Sequence, residues 1–129
     1  MDTMSAYTET THPAVSVAGA RQSARDFLGA LVPPTTAEAA DTVVLIVSEL
    51  VTNALLHGGG TCAVELTAHV DGIEVAVHDP SPRPPRMRTP DLTDGTRDFG
   101  WPMVNHLAHT TAVTPGPIGG KTVSALLPR

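Results

Sequence analysis

Residues 61–79 read TCAVELTAHVDGIEVAVHD, and apolar residues alternate with polar ones on both sides of the central Asp71-Gly72. An alternation of period two is typical of a β-strand with one buried face, and Asp-Gly is a strong signal for a two-residue hairpin turn. A turn at this position would pair Val70 with Ile73 and bring the apolar side chains of both strands onto one face. The segment therefore predicts an antiparallel hairpin that lies against a core on one side.

The segment before this hairpin contains TVVLIVSELVTNALLH, which is apolar on most sides. Thr35-Thr36 offer a capping side chain upstream, and the glycines at positions 58–60 are typical of a helix end. The uninterrupted length between two strong end signals favours a helix that runs to about His57 over a strand. A helix of this composition is expected to be buried centrally rather than laid on the surface.

The other segments complete a layered architecture. An amphipathic helix is expected over residues 14–31, where apolar residues recur at helical spacing before Pro33-Pro34. The remaining elements are a Thr-rich strand within the first dozen residues, a short helix from Gly100 to about Ala108, and strands at about 109–114 and 121–127. This order predicts one domain, residues 1–129, with an α+β fold: a two-layer α/β sandwich with helices on one face of a mainly antiparallel sheet.

Length, charge and cysteine content exclude several classes of protein. The chain has 129 residues, which is a common size for one domain, and its single cysteine excludes a disulfide framework and a Cys-rich zinc module. A formal net charge of −5 argues against a nucleic-acid binder that neutralises phosphates. We expect no membrane span, because no run approaches about 18 apolar residues, and no secretory signal. A reduced, cytoplasmic setting is the simplest expectation.

Three polar residues lie on one stripe of the apolar second helix. Glu49, Asn53 and His57 are spaced four residues apart, so they share a helix face. Burying a carboxylate and an amide without partners costs several kcal/mol. The stripe is therefore expected to face a cavity, a ligand or solvent, and a solvated polar seam remains an alternative.

Two further features lie on either side of a basic, proline-rich loop at positions 80–99. Asp79 ends the hairpin, where it is either a turn-forming residue before Pro80 or part of a site. Gly100 precedes the short helix, whose first amide groups would be free to meet an anion. Since connections this long are usually functional or mobile, these features together outline a candidate site.

Four motifs, in this order, resemble the N, G1, G2 and G3 boxes of the GHKL ATPases, which share the Bergerat-type, histidine-kinase-like ATP-binding fold. They are ELVTNALLHG (49–58), VHDPSPRPP (77–85), FGWPMV (99–104) and GGKTVSALLP (119–128). The resemblance covers the chain from about residue 10 to its end. More narrowly, the chain is similar to the stand-alone anti-sigma-factor serine/threonine kinases.

This resemblance implies ATP and Mg²⁺ as cofactors and assigns roles to the helical stripe. Asn53 would bind the magnesium ion that bridges the phosphates. Glu49 would be the general base that takes a proton from a serine or threonine hydroxyl of the partner protein. His57, at the end of the stripe, would contact a phosphate or the lid.

The resemblance also implies roles outside the stripe. Asp79 would accept a hydrogen bond from the adenine amino group, and Thr122 would support the adenine side of the pocket. Gly100 and the amide groups after it would lie near the phosphates, and Arg97 would reach them from the lid.

One departure from the family pattern keeps a second function open. Asp98 stands where the first glycine of the G2 box is usual, which would put negative charge near the phosphates. The leading hypothesis is an ATP-binding anti-sigma-type kinase whose partners are a sigma factor, an antagonist protein or both, with a homodimer as a further expectation. The alternatives are a non-catalytic interaction module with the same fold, and the ATP-binding part of a two-chain sensor kinase.

Overall fold

The computed structural model describes residues 7–14, 16–57, 60–81, 100–116 and 119–129. Five strands and three helices follow one another in the order β1 (Tyr7–Ala14), α1 (Val17–Ala30), α2 (Ala37–His57), β2 (Cys62–His69), β3 (Gly72–Asp79), α3 (Gly100–Leu107), β4 (Thr110–Pro115) and β5 (Lys121–Pro128). The strands form one sheet in the order β1-β2-β3-β5-β4, and every neighbouring pair is antiparallel. Since α1 and α2 pack against this sheet, the predicted two-layer α+β sandwich is confirmed.

The hairpin β2–β3 forms as predicted, but its register differs from the prediction by two residues. Ala68 faces Ile73 across the strands, and Val70 lies in the bend between them with 58% of its surface exposed. The predicted pairing of Val70 with Ile73 is therefore wrong. Because the error is an even number of residues, the apolar side chains of both strands other than Val70 still point to the core, and the predicted buried face is preserved.

Gly72 explains the register. Instead of forming the turn, it is the first residue of β3 and faces Pro128 of β5. A Cβ at this position would lie 3.1 Å from the backbone oxygen of Leu127, so the absence of a side chain lets the two strands approach closely. The contact with β5, which is distant in sequence, therefore moves the turn to Val70 and Asp71.

The helices begin and end near the predicted positions. Ser16 accepts a hydrogen bond from the backbone nitrogen of Gly19 at 3.0 Å and caps α1, which begins three residues later than predicted because Ala14 completes β1. Thr36 caps α2 in the same way, through Ala39 at 3.2 Å. The predicted capping side chain of the second helix is thus confirmed.

The segment Ala37–Leu56 of α2 is long and apolar enough to span a membrane by length and composition, with a mean hydropathy of 1.6. In this respect the expectation that no run approaches such a span is wrong. Within the described part of the chain it is the one such helix, and the core helix of a folded domain meets the same test. Its apolar side chains form the centre of the core through Val43, Val44, Ile46, Val47, Leu50, Val51 and Ala54.

The chain direction brings three element ends to one edge of the molecule. Ala63 faces His78 and Asp79 faces Lys121, so the start of β2, the end of β3 and the start of β5 lie side by side. Four residues separate the end of α2 from the start of β2, so α2 ends near this edge. The candidate site residues of α2, β3 and β5 thus belong to one end of the sandwich.

Candidate functional site

Asn53 and Glu49 interrupt the buried side of α2. Both residues are half-buried, whereas Leu50, Val51 and Ala54 around them are at most 3% exposed. Residues four positions apart on a helix have Cβ atoms about 6 Å from each other. The amide and the carboxylate can therefore act on the same ligand.

The side-chain nitrogen of Asn53 is buried and has no hydrogen-bond partner in the part of the chain that the structure describes. An unsatisfied buried donor costs about 1–3 kcal/mol, so a folded protein rarely keeps one without a reason. An amide can present its oxygen to a cation and its nitrogen to an acceptor at the same time. This side chain therefore fits a site for a magnesium ion and its phosphate ligands, because Mg²⁺ needs few protein oxygens.

The third member of the stripe is only partly defined. His57 is the last residue of α2, and its side chain lies outside the described residues. Gly60, with a φ of 81°, donates its backbone N–H to the oxygen of Ala54 at 3.4 Å and terminates the helix. The role of His57 stays a prediction.

Asp79 lies at the end of β3 with both carboxylate oxygens occupied. Oδ2 is 2.9 Å from Nζ of Lys121, the residue directly opposite on β5. Oδ1 accepts a hydrogen bond from the backbone nitrogen of Ser81 at 2.8 Å. The Asp79 side chain is only 3% exposed. The carboxylate to which the family resemblance assigns adenine is thus held inside the protein by a charged partner.

Lys121 forms a polar corner with Asp79 and Ser81 where the end of β3 meets the start of β5, and sequence analysis missed it. Its side chain is 6% exposed, and Nζ also donates to the backbone oxygen of Ser81 at 3.0 Å. The overlooked signal is the phase of β5, because Lys121 shares the alternation of the buried Val123 and Ala125. A lysine in phase with a buried face needs an acidic partner.

Gly120 allows the corner to close. Its φ is 75°, and a Cβ at this position would lie 2.5 Å from the backbone oxygen of Asp79 and 3.0 Å from Cα of Pro80. Both the backbone conformation and the close approach exclude a side chain. This glycine lets the start of β5 lie directly against the end of β3.

Thr122 points to the opposite face of the sheet from Asp79. Its hydroxyl oxygen is 2.8 Å from Nδ1 of His78, whose Nε2 is 3.0 Å from a carboxylate oxygen of Glu65. The structure therefore does not bring the Thr122 side chain beside Asp79, because neighbouring residues of a strand face opposite ways. A cavity of about 280 Å³ at the strand ends is lined by residues of both faces, including His78, Asp79, Lys121 and Thr122.

Cys62 lies near Asp79 at the same edge of the sheet. Burial, and secondarily the negative charge of Asp79, raise the pKa of the Cys62 thiol. The raised pKa keeps the thiol protonated at neutral pH, and a protonated thiol is a poor nucleophile. Cys62 is therefore part of the packing of the site rather than a reactive group.

Of the residues predicted to lie near the phosphates from the lid and the third helix, the structure describes Gly100 and those after it. α3 begins at Gly100 as predicted, and Val104 packs it into the core. Arg97 and Asp98 lie outside the described residues, as does the loop beyond Ser81. The described ranges contain no group of three or more His, Cys, Asp or Glu side chains that could hold a metal ion.

The comparison with known proteins is consistent with this geometry. Residues 10–126 match the family model of the histidine kinase-like ATPase domain. The matched range includes all three helices, the stripe on α2 and the corner formed by Asp79, Ser81 and Lys121. No curated protein matches the chain.

Proposed function

The chain belongs to the histidine kinase-like ATPase domain family, an ATP-binding family, and we propose that it is an anti-sigma-factor-type serine/threonine protein kinase. In this proposal it binds ATP with Mg²⁺ and phosphorylates an antagonist protein, and it regulates transcription by binding a sigma factor. It works in the cytoplasm, without direct contact with nucleic acid or membrane, and as a homodimer.

The observation that carries the proposal is the buried amide nitrogen of Asn53, one helical turn after Glu49, which has no hydrogen-bond partner among the described residues. When Mg-ATP is bound, the metal ion would neutralise charge on the phosphates. Asn53 would hold that ion through its amide oxygen and satisfy its amide nitrogen on a phosphate oxygen. The cost of the unsatisfied donor in the free protein would then be recovered on binding.

Glu49 would act on the incoming hydroxyl. A carboxylate half-buried on a rigid helix is oriented by the backbone, and it can accept a proton from a serine or threonine hydroxyl that is within hydrogen-bond distance. Because Glu49 is one turn before Asn53, the Glu49 carboxylate and the bound phosphate would lie on the same side of α2. In this proposal α2 thus supplies both Asn53, which contacts the metal ion and a phosphate, and the base Glu49.

The first experiment measures thermal unfolding of the full chain with ATP, with and without Mg²⁺. ATP at 100 times its dissociation constant is expected to add about 2.7 kcal/mol of stability. Asn53→Ala is expected to lose the part that depends on Mg²⁺. Gln22→Ala, a change at an exposed amide on α1, is the matched control and should keep it.

The second experiment tests phosphoryl transfer. Incubation with Mg-ATP and a cognate antagonist protein is expected to yield phosphoserine or phosphothreonine on the antagonist. Glu49→Gln should reduce this transfer by about 10²–10⁴-fold with ATP binding retained. Unchanged transfer by Glu49→Gln would reject Glu49 as the base, and an absence of ATP stabilisation in the first experiment would reject the nucleotide site.

The state of Asp79 favours a second candidate, a non-catalytic interaction module. Its carboxylate has two partners and almost no exposed surface, so adenine cannot reach it as the chain stands. The module would capture a protein partner with weak or no ATP turnover. Calorimetry separates the two candidates, since the module predicts partner binding without measurable ATP binding.

A further inference from the structure

We propose that Lys121 is a latch on the purine end of the nucleotide site, so that ATP binds only after the Lys121 ammonium leaves Asp79. The inference rests on the proposed function and adds to it a residue that controls nucleotide affinity. The latch consists of Lys121, Asp79 and Ser81.

The burial of both charged groups shows that the latch is closed. Asp79 and Lys121 are 3% and 6% exposed at their side chains, and their charged atoms are 2.9 Å apart. The Ser81 backbone nitrogen donates to Oδ1, the other carboxylate oxygen, and the Ser81 backbone oxygen accepts from Nζ. With its side chain only 3% exposed, the Asp79 carboxylate therefore offers a purine amino group almost no surface while these contacts persist.

The charges of the pair indicate that the ammonium must move. The Lys121 ammonium and the Asp79 carboxylate attract each other as two full charges at short range, an attraction that a neutral donor lacks. The adenine amino group is neutral, so it cannot displace Nζ from Oδ2 by its hydrogen bond alone. Binding therefore selects the minor form in which Lys121 has already turned away.

A purely structural role explains the pair less well. Replacing a buried ion pair by apolar residues of similar volume is often neutral or stabilising, so such a pair is weak evidence for stability. Here the pair lies at the edge of the sheet where the α2 stripe also ends, rather than in the centre of the core. The position of the pair at this edge and its burial therefore fit a role in controlling the binding of a ligand between the pair and the stripe.

The latch makes a quantitative prediction about affinity. The apparent dissociation constant equals the intrinsic one divided by the fraction of open protein. If the open form makes up about a tenth of the protein, removing the latch tightens ATP binding about tenfold. Lys121→Thr removes the ammonium, and the threonine hydroxyl is too short to reach the Asp79 carboxylate. Threonine is also a residue that β-strands favour.

The main experiment compares ATP binding by isothermal titration calorimetry in the wild-type chain, Lys121→Thr and Ser124→Ala. Ser124 lies on the same strand but points to the opposite face, so its variant is the matched control and should bind as the wild type does. A dissociation constant about tenfold lower for Lys121→Thr supports the latch. An unchanged or higher constant overturns it.

A second measurement does not depend on the folding of a variant. Lys121 is the only lysine of the 129 residues, so its side chain and the α-amino group are the two amines of this chain that acetic anhydride can acetylate. Trace labelling followed by mass spectrometry is expected to show slow modification of Lys121 in the free protein and faster modification with saturating ATP. The α-amino group is the internal reference. Lys121 labelling that is unchanged or slowed by ATP overturns the latch.

The two proposals fail in different ways. If the wild-type chain binds ATP but Lys121→Thr binds no more tightly, the latch is wrong and the nucleotide site stands. If neither the wild type nor Lys121→Thr binds ATP, both proposals are wrong.

Discussion

The amide nitrogen of Asn53 on the α2 stripe and the carboxylate of Asp79 at the end of β3 are both buried polar groups, but they differ in whether they have partners. On the stripe, the Asn53 nitrogen has no partner within the described ranges. At the corner, both oxygens of Asp79 are bonded, one of them to a buried ammonium. A ligand can supply the hydrogen bond that an unsatisfied donor lacks. To bind a satisfied carboxylate, by contrast, a ligand must displace a partner that is already there. In the proposed nucleotide site, one end would thus be ready for a ligand and the other would have to open.

The largest expected effect comes from removing one half of the corner pair. Asp79→Ala leaves the Lys121 ammonium buried without its partner and is expected to destabilise the fold by about 3–5 kcal/mol. The double variant Asp79→Ala/Lys121→Met removes both charges and should recover most of this loss. Urea denaturation of the two variants measures the difference.

Equal stability of the two Asp79 variants would contradict this description of the corner, because it would mean that the remaining ammonium reaches water at no cost. In that case Asp79 and Lys121 would be a surface pair, worth about 0–1 kcal/mol.

A smaller loss is expected from the glycine that closes the corner. Gly120→Ala adds a Cβ 2.5 Å from the backbone oxygen of Asp79 at a positive φ, and it should cost about 1–3 kcal/mol. Gly29→Ala is the matched control, because a Cβ at this position of α1 meets nothing within 4 Å and should be neutral or stabilising. Thermal unfolding of both variants tests the close approach, which a tolerated Gly120→Ala would disprove.

The smallest effect has the opposite sign. Asn53→Leu replaces the unpartnered amide with an apolar group of similar size and is expected to stabilise the free chain by about 1 kcal/mol. The same change should abolish stabilisation by Mg-ATP. Urea denaturation without ligand provides the first readout and thermal unfolding with Mg-ATP the second. A destabilised free chain would show that Asn53 has a structural partner, and the contrast between the two regions would not hold.

Most of the fold was predictable, because it depends on local periodicity. The alternation of residues 62–79 identifies the buried face of β2 and β3, and the apolar length before it identifies α2 as a core helix. The register was not predictable from the turn dipeptide. Gly72 packs against Leu127 of β5, and that contact comes from the other end of the chain.

The candidate site was predictable to a similar extent. The stripe of Glu49 and Asn53 follows from helical spacing alone, and the match of residues 10–126 to the ATPase family agrees with the resemblance on which their roles rest. Thr122 was assigned to the adenine side, but strand alternation turns its side chain toward His78 on the other face. Lys121, one position earlier, is the residue that meets Asp79.

The sequence by itself therefore determined which faces are buried and which polar residues share a helix, since both follow from the fixed periods of helix and strand. The tertiary structure alone decided whether each buried polar group has a partner. Asp79 and Lys121 are 42 residues apart in the chain, and they meet only because β5 pairs with β3 in one register. Periodicity is a property of neighbouring residues, whereas the satisfaction of a buried charge depends on which distant strand lies beside it.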